Sequence, residues 1–279
     1  MFRRLSLLLL APLLSLAGLM APAAMTGTAA AVTSVALPNS MASTGDSITR
    51  GYDATSSGCF LADCPQYSWS TGTSTVNSHY QRLLVANPQI SGQVYNDAKT
   101  GAKMTALDAQ VKTAAGQGVQ YLTVMMGAND VCTSSRATMT PTATLRSQFQ
   151  TALTDFFAAD PNAHVFVSSI PNVYQLWSVL HTNATARNAW SSFKICQSML
   201  ASTNTEADRQ AVLTQEQDDN AALAAVCGQF ANCKWDNLAT FNYQFAASDV
   251  STIDYFHPSV SGQAHLAATT WSAGYWPST

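Results

Sequence analysis

The sequence predicts an α/β fold, a mainly parallel β-sheet covered by helices on both faces. Three observations carry this reading. "VQYLTVMMGAND" (119–130) and "AHVFVSSIP" (163–171) open on runs that are apolar nearly throughout, as strands buried on both faces must be. The stretches between strands repeat apolar residues at three- and four-residue spacing, the period of a helix packed on one side. Strands alternating with helices form βαβ units with right-handed crossovers, which makes the strands parallel.

The elements follow in order. Residues 40–44 form a short strand that runs into Gly45. Val76, Tyr80, Leu83 and Leu84 share a helix face, which Asn87 and Pro88 close. "GQVYNDA" (92–98) is the second strand, and the helix of 102–118 ends at paired glycines. After the strand in 119–130, Pro141 marks a helix start, with Leu145, Phe149, Leu153 and Phe156 as its apolar stripe. The strand in 163–171 comes next, then helices over 184–200 and 206–227. "NCKWD" (232–236) is a short fifth strand, and 259–273 a closing helix. Ligands of such sheets bind beyond the carboxyl ends of the strands. That directs attention to Ser47, Gly101, Asn129 and the loop after Ile170.

The first 31 residues stand apart. Arg3 and Arg4 precede "LSLLLLAPLLSLAGLM", and small residues follow. This is the pattern of a secretory signal peptide, with cleavage after Ala31 favoured over Ala24. An uncleaved anchor is the alternative, but Pro12 and Gly18 interrupt an apolar run already short for a span. Residues 32–279 then form a single domain, without linker, repeat or low-complexity tract after residue 40. The formal charge of −3 becomes about −5 once the leader is lost. Only 10% of residues are charged. That excludes the basic patches a nucleic-acid partner needs and suits a secreted monomer handling neutral or amphiphilic molecules, with no stable membrane anchor after processing.

Six cysteines remain, an even count that outside the cell reads as disulfides. Six allow 15 pairings. Short loops close most easily, which favours Cys59–Cys64 and Cys227–Cys233 and leaves Cys132–Cys196. No C-x-x-C or H-E-x-x-H occurs, so no metal is expected.

"STGDSIT" (43–49) poses the chemical question. Gly, Asp and Ser are ordinary turn residues. Alternatively, Ser47 is a nucleophile at the mouth of a strand, where a starting helix or helical turn would favour an oxyanion. A serine needs a base. Of the five histidines, His79 and His265 lie in helix patterns, His164 precedes a strand and His181 sits in a polar loop. His257 differs: it precedes Pro258 and stands three residues after Asp254, a carboxylate that could fix its tautomer. Asn129 and Gly101, each just after a strand, could donate to an oxyanion.

Taken together, "GDSI" (45–48), the glycine of "NDAKTGAKM" (101), "GAND" (127–130) and "DYFH" (254–257) resemble the GDSL, or SGNH, hydrolase family. "SSIPNVYQLW", "ICQSML" and "FHPSVSGQ" are similar to its secreted actinobacterial branch. The resemblance implies a three-layer α/β/α sandwich with five strands in the flavodoxin-like order 2-1-3-4-5. It implies Ser47 as nucleophile, His257 as base, Asp254 as orienting acid, and Ser47, Gly101 and Asn129 as oxyanion donors, without cofactor. Two departures stand out: Ile48 replaces the leucine of the family name, and Thr100 precedes Gly101 where many relatives have serine. The implied reaction is ester hydrolysis through an acyl-enzyme, on a small-molecule, lipid or glycan ester. Carboxylesterase or lipase activity is expected first, carbohydrate O-deacetylase second. Tyr174 and Trp177 could line the acyl pocket; they could equally be core of neighbouring helices. A rival of another class is a secreted binding protein that has lost the chemistry. A nucleotide-binding module is disfavoured, because neither G-x-G-x-x-G nor a P-loop is present.

Overall fold

The computed structural model describes Phe2 and residues 35–278. Apart from Phe2, the expected leader lies outside the described residues. Residues 35 onward form one compact unit. Its centre is a five-stranded parallel sheet in the order β2-β1-β3-β4-β5. The strands are β1 (Met41–Gly45), β2 (Val94–Asn96), β3 (Tyr121–Met125), β4 (His164–Val167) and β5 (Cys233–Trp235). β1 and β3 are buried at every position, so both faces carry apolar residues rather than alternating them.

Helices fill the connections: α1 (His79–Ala86), α2 (Leu107–Gly116), α3 (Ala128–Val131), α4 (Thr142–Ala159), α5 (Val173–Leu180), α6 (Ala184–Ser192), α7 (Gln197–Leu200), α8 (Glu206–Cys227), α9 (Ala239–Asn242) and α10 (Val260–Ala273). α2, α4 and α8 pack side by side, with the predicted stripe Leu145, Phe149, Leu153 and Phe156 fully buried. α1 and α10 meet through His79, whose Nε2 lies 2.8 Å from Thr270 Oγ1 and whose Nδ1 lies 3.0 Å from the Tyr121 hydroxyl. Burial among Trp69, Phe166 and Trp271 pushes the His79 imidazole down to about 3, so it is neutral. This histidine ties a helix layer to the sheet and is remote from proton chemistry.

Two expectations are corrected, for 184–200 and for the segment after Ile170. The helix expected over 184–200 is broken into α6 and α7, because Lys194 and Cys196 take left-handed backbone angles (φ 56° and 41°) that no α-helix continues through. The segment after Ile170 forms α5, capped by the Asn172 side chain accepting from the Gln175 amide. α3 follows β3 directly and places Asn129 and Asp130 in its single turn. The cysteines pair as Cys59–Cys64, Cys132–Cys196 and Cys227–Cys233, with none free. No helix among the described residues is long and apolar enough to cross a membrane.

Candidate active site

β1 delivers Ser47. The strand ends at Gly45, in register with Met125 of β3. Gly45 sits at φ +148°, and a Cβ there would lie 2.3 Å from the Met125 carbonyl oxygen, so only glycine fits. The Gln110 side chain of α2 grips this peptide from both sides. Its Oε1 accepts from Gly45 N–H at 2.8 Å, and its Nε2 donates to Gly45 O at 2.9 Å. Beyond the serine, buried Gln263 of α10 donates to the Ile48 carbonyl at 2.7 Å and accepts from Trp69 N–H at 2.9 Å. Two amide side chains thus clamp the peptides on either side of Ser47. The serine rides a hydrogen-bonded turn, Arg50 N to Asp46 O and Tyr52 N to Ser47 O, the shorter of the two forms expected there, a helical turn rather than a helix.

Asp46 is fully enclosed, and burial pushes its carboxyl up to about 6. The Ile48 amide donates to its Oδ1 at 2.9 Å, while Oδ2 meets no donor.

His257 arrives from the far end of the chain on a tight loop. Ser251 N donates to His257 O at 2.8 Å, Val250 bridges antiparallel to Pro258, and the buried Trp190 indole N–H donates to the Tyr255 carbonyl at 2.8 Å. The loop sets His257 Nε2 2.8 Å from Ser47 Oγ and its Nδ1 against Asp254 Oδ2 in a short contact. Asp254 Oδ1 accepts the backbone N–H groups of Phe256 (2.9 Å) and His257 (3.1 Å). Burial pushes the Asp254 carboxyl up, but its bonds and charge attraction to His257, with these amides, outweigh it and hold the carboxyl below its ordinary value. Tyr52, tilted, and Phe256, edge-on, pack against the imidazole, ring centroids 5.0 and 5.1 Å away. Sequence positions 47, 254 and 257 therefore converge on one hydrogen-bonded chain.

Gly101 lies on an exposed turn at φ +76° after β2. Its amide and that of Ser47 find no acceptor among the described residues. The Asn129 amide nitrogen donates to the Ala102 carbonyl at 3.0 Å, which joins the "GAND" turn to the Gly101 loop. Asp130, next along, accepts from Met104 N–H at 2.8 Å and locks the same two segments.

A small apolar cleft is built from the chain neighbours of these residues. Ile48 follows Ser47, Ala128 precedes Asn129, and Phe256 and Pro258 flank His257. Val173 and Leu176 of α5 continue the lining. The carboxylate of Asp249 in its wall is occupied by His265, Ser261, Tyr243 and the Ala246 amide, so it presents little free charge. Tyr174 and Trp177, expected at a substrate wall, point elsewhere. The Tyr174 hydroxyl donates to Glu206, and Trp177 lies under the Arg209 guanidinium at 3.6 Å and against Trp190. The helical period explains this: the cleft takes the 173/176 face of α5, and the 174/177 face packs on α6 and α8. Gln110, Gln263 and Tyr52 were not anticipated. A glutamine buried in an apolar helix face was the available signal for the first two.

The chain matches the profile of the GDSL-like Lipase/Acylhydrolase family over residues 44–265. It belongs to that family, has its SGNH hydrolase fold, and is a serine ester hydrolase. A protein of Parabacteroides merdae assigned as a GDSL-like lipase superposes with a TM-score of 0.52 at 15% identity, over 84% of this chain and 94% of that one. Phospholipase A1 from Streptomyces albidoflavus is similar at a TM-score of 0.48 and 16% identity, over 81% and 94%. A family 3 carbohydrate esterase of Clostridium thermocellum reaches 0.46 at 14% identity, over 84% and 93%. No curated protein sequence matches the chain.

Proposed function

We propose that the protein is a secreted carboxylesterase or lipase that cleaves acyl esters through an acyl-enzyme on Ser47. The observation that carries this is the unbroken chain from Ser47 Oγ through the two ring nitrogens of His257 to Asp254. His257 Nε2 takes the Ser47 proton as Oγ attacks the ester carbonyl. The oxygen that becomes negative is received by the unengaged amides of Ser47 and Gly101 and by the second N–H of Asn129. His257 then protonates the departing alcohol. Water attacks the acyl-Ser47 by the reverse path, returning the proton to Oγ. Asp254 holds the proton on Nδ1 throughout, which keeps Nε2 free as the base.

The acyl chain is assigned to the cleft between Ile48, Leu176 and Phe256. Burying a methylene there is worth about 0.8 kcal/mol, so kcat/KM should climb several-fold for each carbon until the cleft is full. Three disulfides agree with an exported chain cleaved after Ala31. The test is a p-nitrophenyl ester ladder from acetate to palmitate, on wild type and Ser47→Ala. The reading expects an optimum beyond acetate and no turnover in the variant. An acetate-only enzyme would overturn the acyl-cleft assignment in favour of deacetylation. Equal turnover in the variant would overturn the serine mechanism.

A further inference from the structure

Behind the Ser47–His257–Asp254 chain lies a second carboxyl group. Asp53 is fully buried. One of its oxygens, one of Asp254 and a ring nitrogen of His257 lie within 4.8 Å of one another. Its Oδ1 accepts the Leu61 amide at 2.5 Å, while Oδ2 is buried and meets no N–H or O–H donor among the described residues. Its backbone is anchored on both sides, by Asp53 N to Ala62 O and by the Ser251 hydroxyl on Asp53 O at 2.6 Å. Two buried carboxylates this close disfavour each other's ionisation, so one acid holds its proton to higher pH. Asp254 is the one held ionised, since all three of its bonds come from donors. A metal does not account for the cluster, because His257 already commits both nitrogens, to Ser47 and Asp254.

We propose that Asp53 is a positioning residue that retains a proton and donates it from Oδ2 to the Asp254 carboxylate, holding that carboxylate in line with His257. The idea rests on the ester-hydrolase reading above. Burial, and next the charge of Asp254, push the Asp53 carboxyl up to about 6. The groups facing it are Asp254 and His257 from the 251–258 loop and Tyr52 on its own turn, with Asp63 beyond Tyr52. The Cys59–Cys64 loop carries Leu61 and Ala62, so the disulfide fixes the two backbone groups that seat Asp53. Asp53 occupies a left-handed conformation (φ 55°), which aspartate and asparagine tolerate better than other residues.

The test compares Asp53→Asn with Asp53→Ala. The amide of asparagine can accept from Leu61 and donate to Asp254, so it copies the protonated acid without titrating. Asp53→Ala should lower kcat about ten- to a hundredfold, the loss of one hydrogen bond to a charged group, with KM unchanged. Asp53→Asn should recover kcat to within about threefold of wild type. Loss of the Asp53 proton above about pH 6 should lower kcat/KM in wild type, a decline that Asp53→Asn lacks. Infrared spectra at about pH 5.5, above the ordinary carboxylate range, should show a protonated-carboxyl C=O stretch that is weaker in the asparagine variant by the contribution of one carboxyl group. If Asp53→Ala does not fold, the pH dependence and the infrared band still decide. The proposal is overturned if Asp53→Asn is as impaired as a folded Asp53→Ala, if wild type and Asp53→Asn show the same decline above about pH 6, or if no infrared intensity is lost. Turnover in Ser47→Ala reports on the ester-hydrolase reading alone, and the band reports on the carboxyl pair alone.

Discussion

Replacing Asp254 by asparagine should be far more damaging than its isosteric shape suggests. Asp254 Oδ1 accepts two backbone N–H groups, and Oδ2 accepts His257 Nδ1. Asparagine has one acceptor oxygen to divide between these places. Turning its NH₂ toward the Phe256 and His257 amides would set donors against two buried donors, at about 1–3 kcal/mol for each group left unsatisfied. Keeping its oxygen there instead points the NH₂ at Nδ1, and a shift of tautomer relieves that single conflict. The proton then moves to Nε2, which faces Ser47 as a donor and can no longer accept its proton. A triad histidine trapped in this tautomer loses about 10⁴-fold in kcat, or ~5.5 kcal/mol of transition-state stabilisation. Asp254 does not line the cleft, so KM should hold. The assay is steady-state hydrolysis of p-nitrophenyl butyrate, beside the rate of fluorophosphonate labelling of Ser47, which should fall in parallel. An Asp254→Asn enzyme within tenfold of wild type would refute the reasoning, since the two backbone amides would then not be fixing the side chain's orientation.

Three further outcomes are expected. Asn129→Ala should lower kcat about a hundred- to a thousandfold, with little change in thermal midpoint; unchanged kcat would remove Asn129 from the oxyanion site. Replacing both cysteines of Cys132–Cys196, 64 residues apart, should destabilise the protein by about 4 kcal/mol on chain-entropy grounds. The bridges spanning 5 and 6 residues should each be worth about 2 kcal/mol, and urea unfolding that fails to rank the long bridge first would contradict this. Asp46 keeps its proton in the folded state to about pH 6, while the unfolded chain releases it near 4. The folded state then binds more protons, and stability falls as pH rises through that window, by about 3 kcal/mol from this group. Asp46→Asn should remove that part of the decline; identical pH dependence of unfolding in the two proteins would count against it.

The sequence by itself determined the layer class and singled out the candidate residues for the site. β3 and β4 were legible because strands buried on both faces are apolar without alternation. Ser47, Asn129, Asp254 and His257 each stand in a short motif; the first two follow β1 and β3 at their carboxyl ends, and the 251–258 loop brings the other two to Ser47. Only the tertiary structure decided what surrounds them. The break between α6 and α7 follows from left-handed residues beside a cysteine whose partner is 64 positions away. The assignment of Tyr174 and Trp177 failed because both faces of α5 are apolar, and which one meets the cleft depends on where α8 places Arg209. Gln110, Gln263 and Asp53 act on residues 65, 215 and 201 positions distant. A hydrogen bond or shared proton across such a span leaves no periodic trace in the chain. It exists only once the fold has closed the distance and excluded the water that would otherwise satisfy those groups.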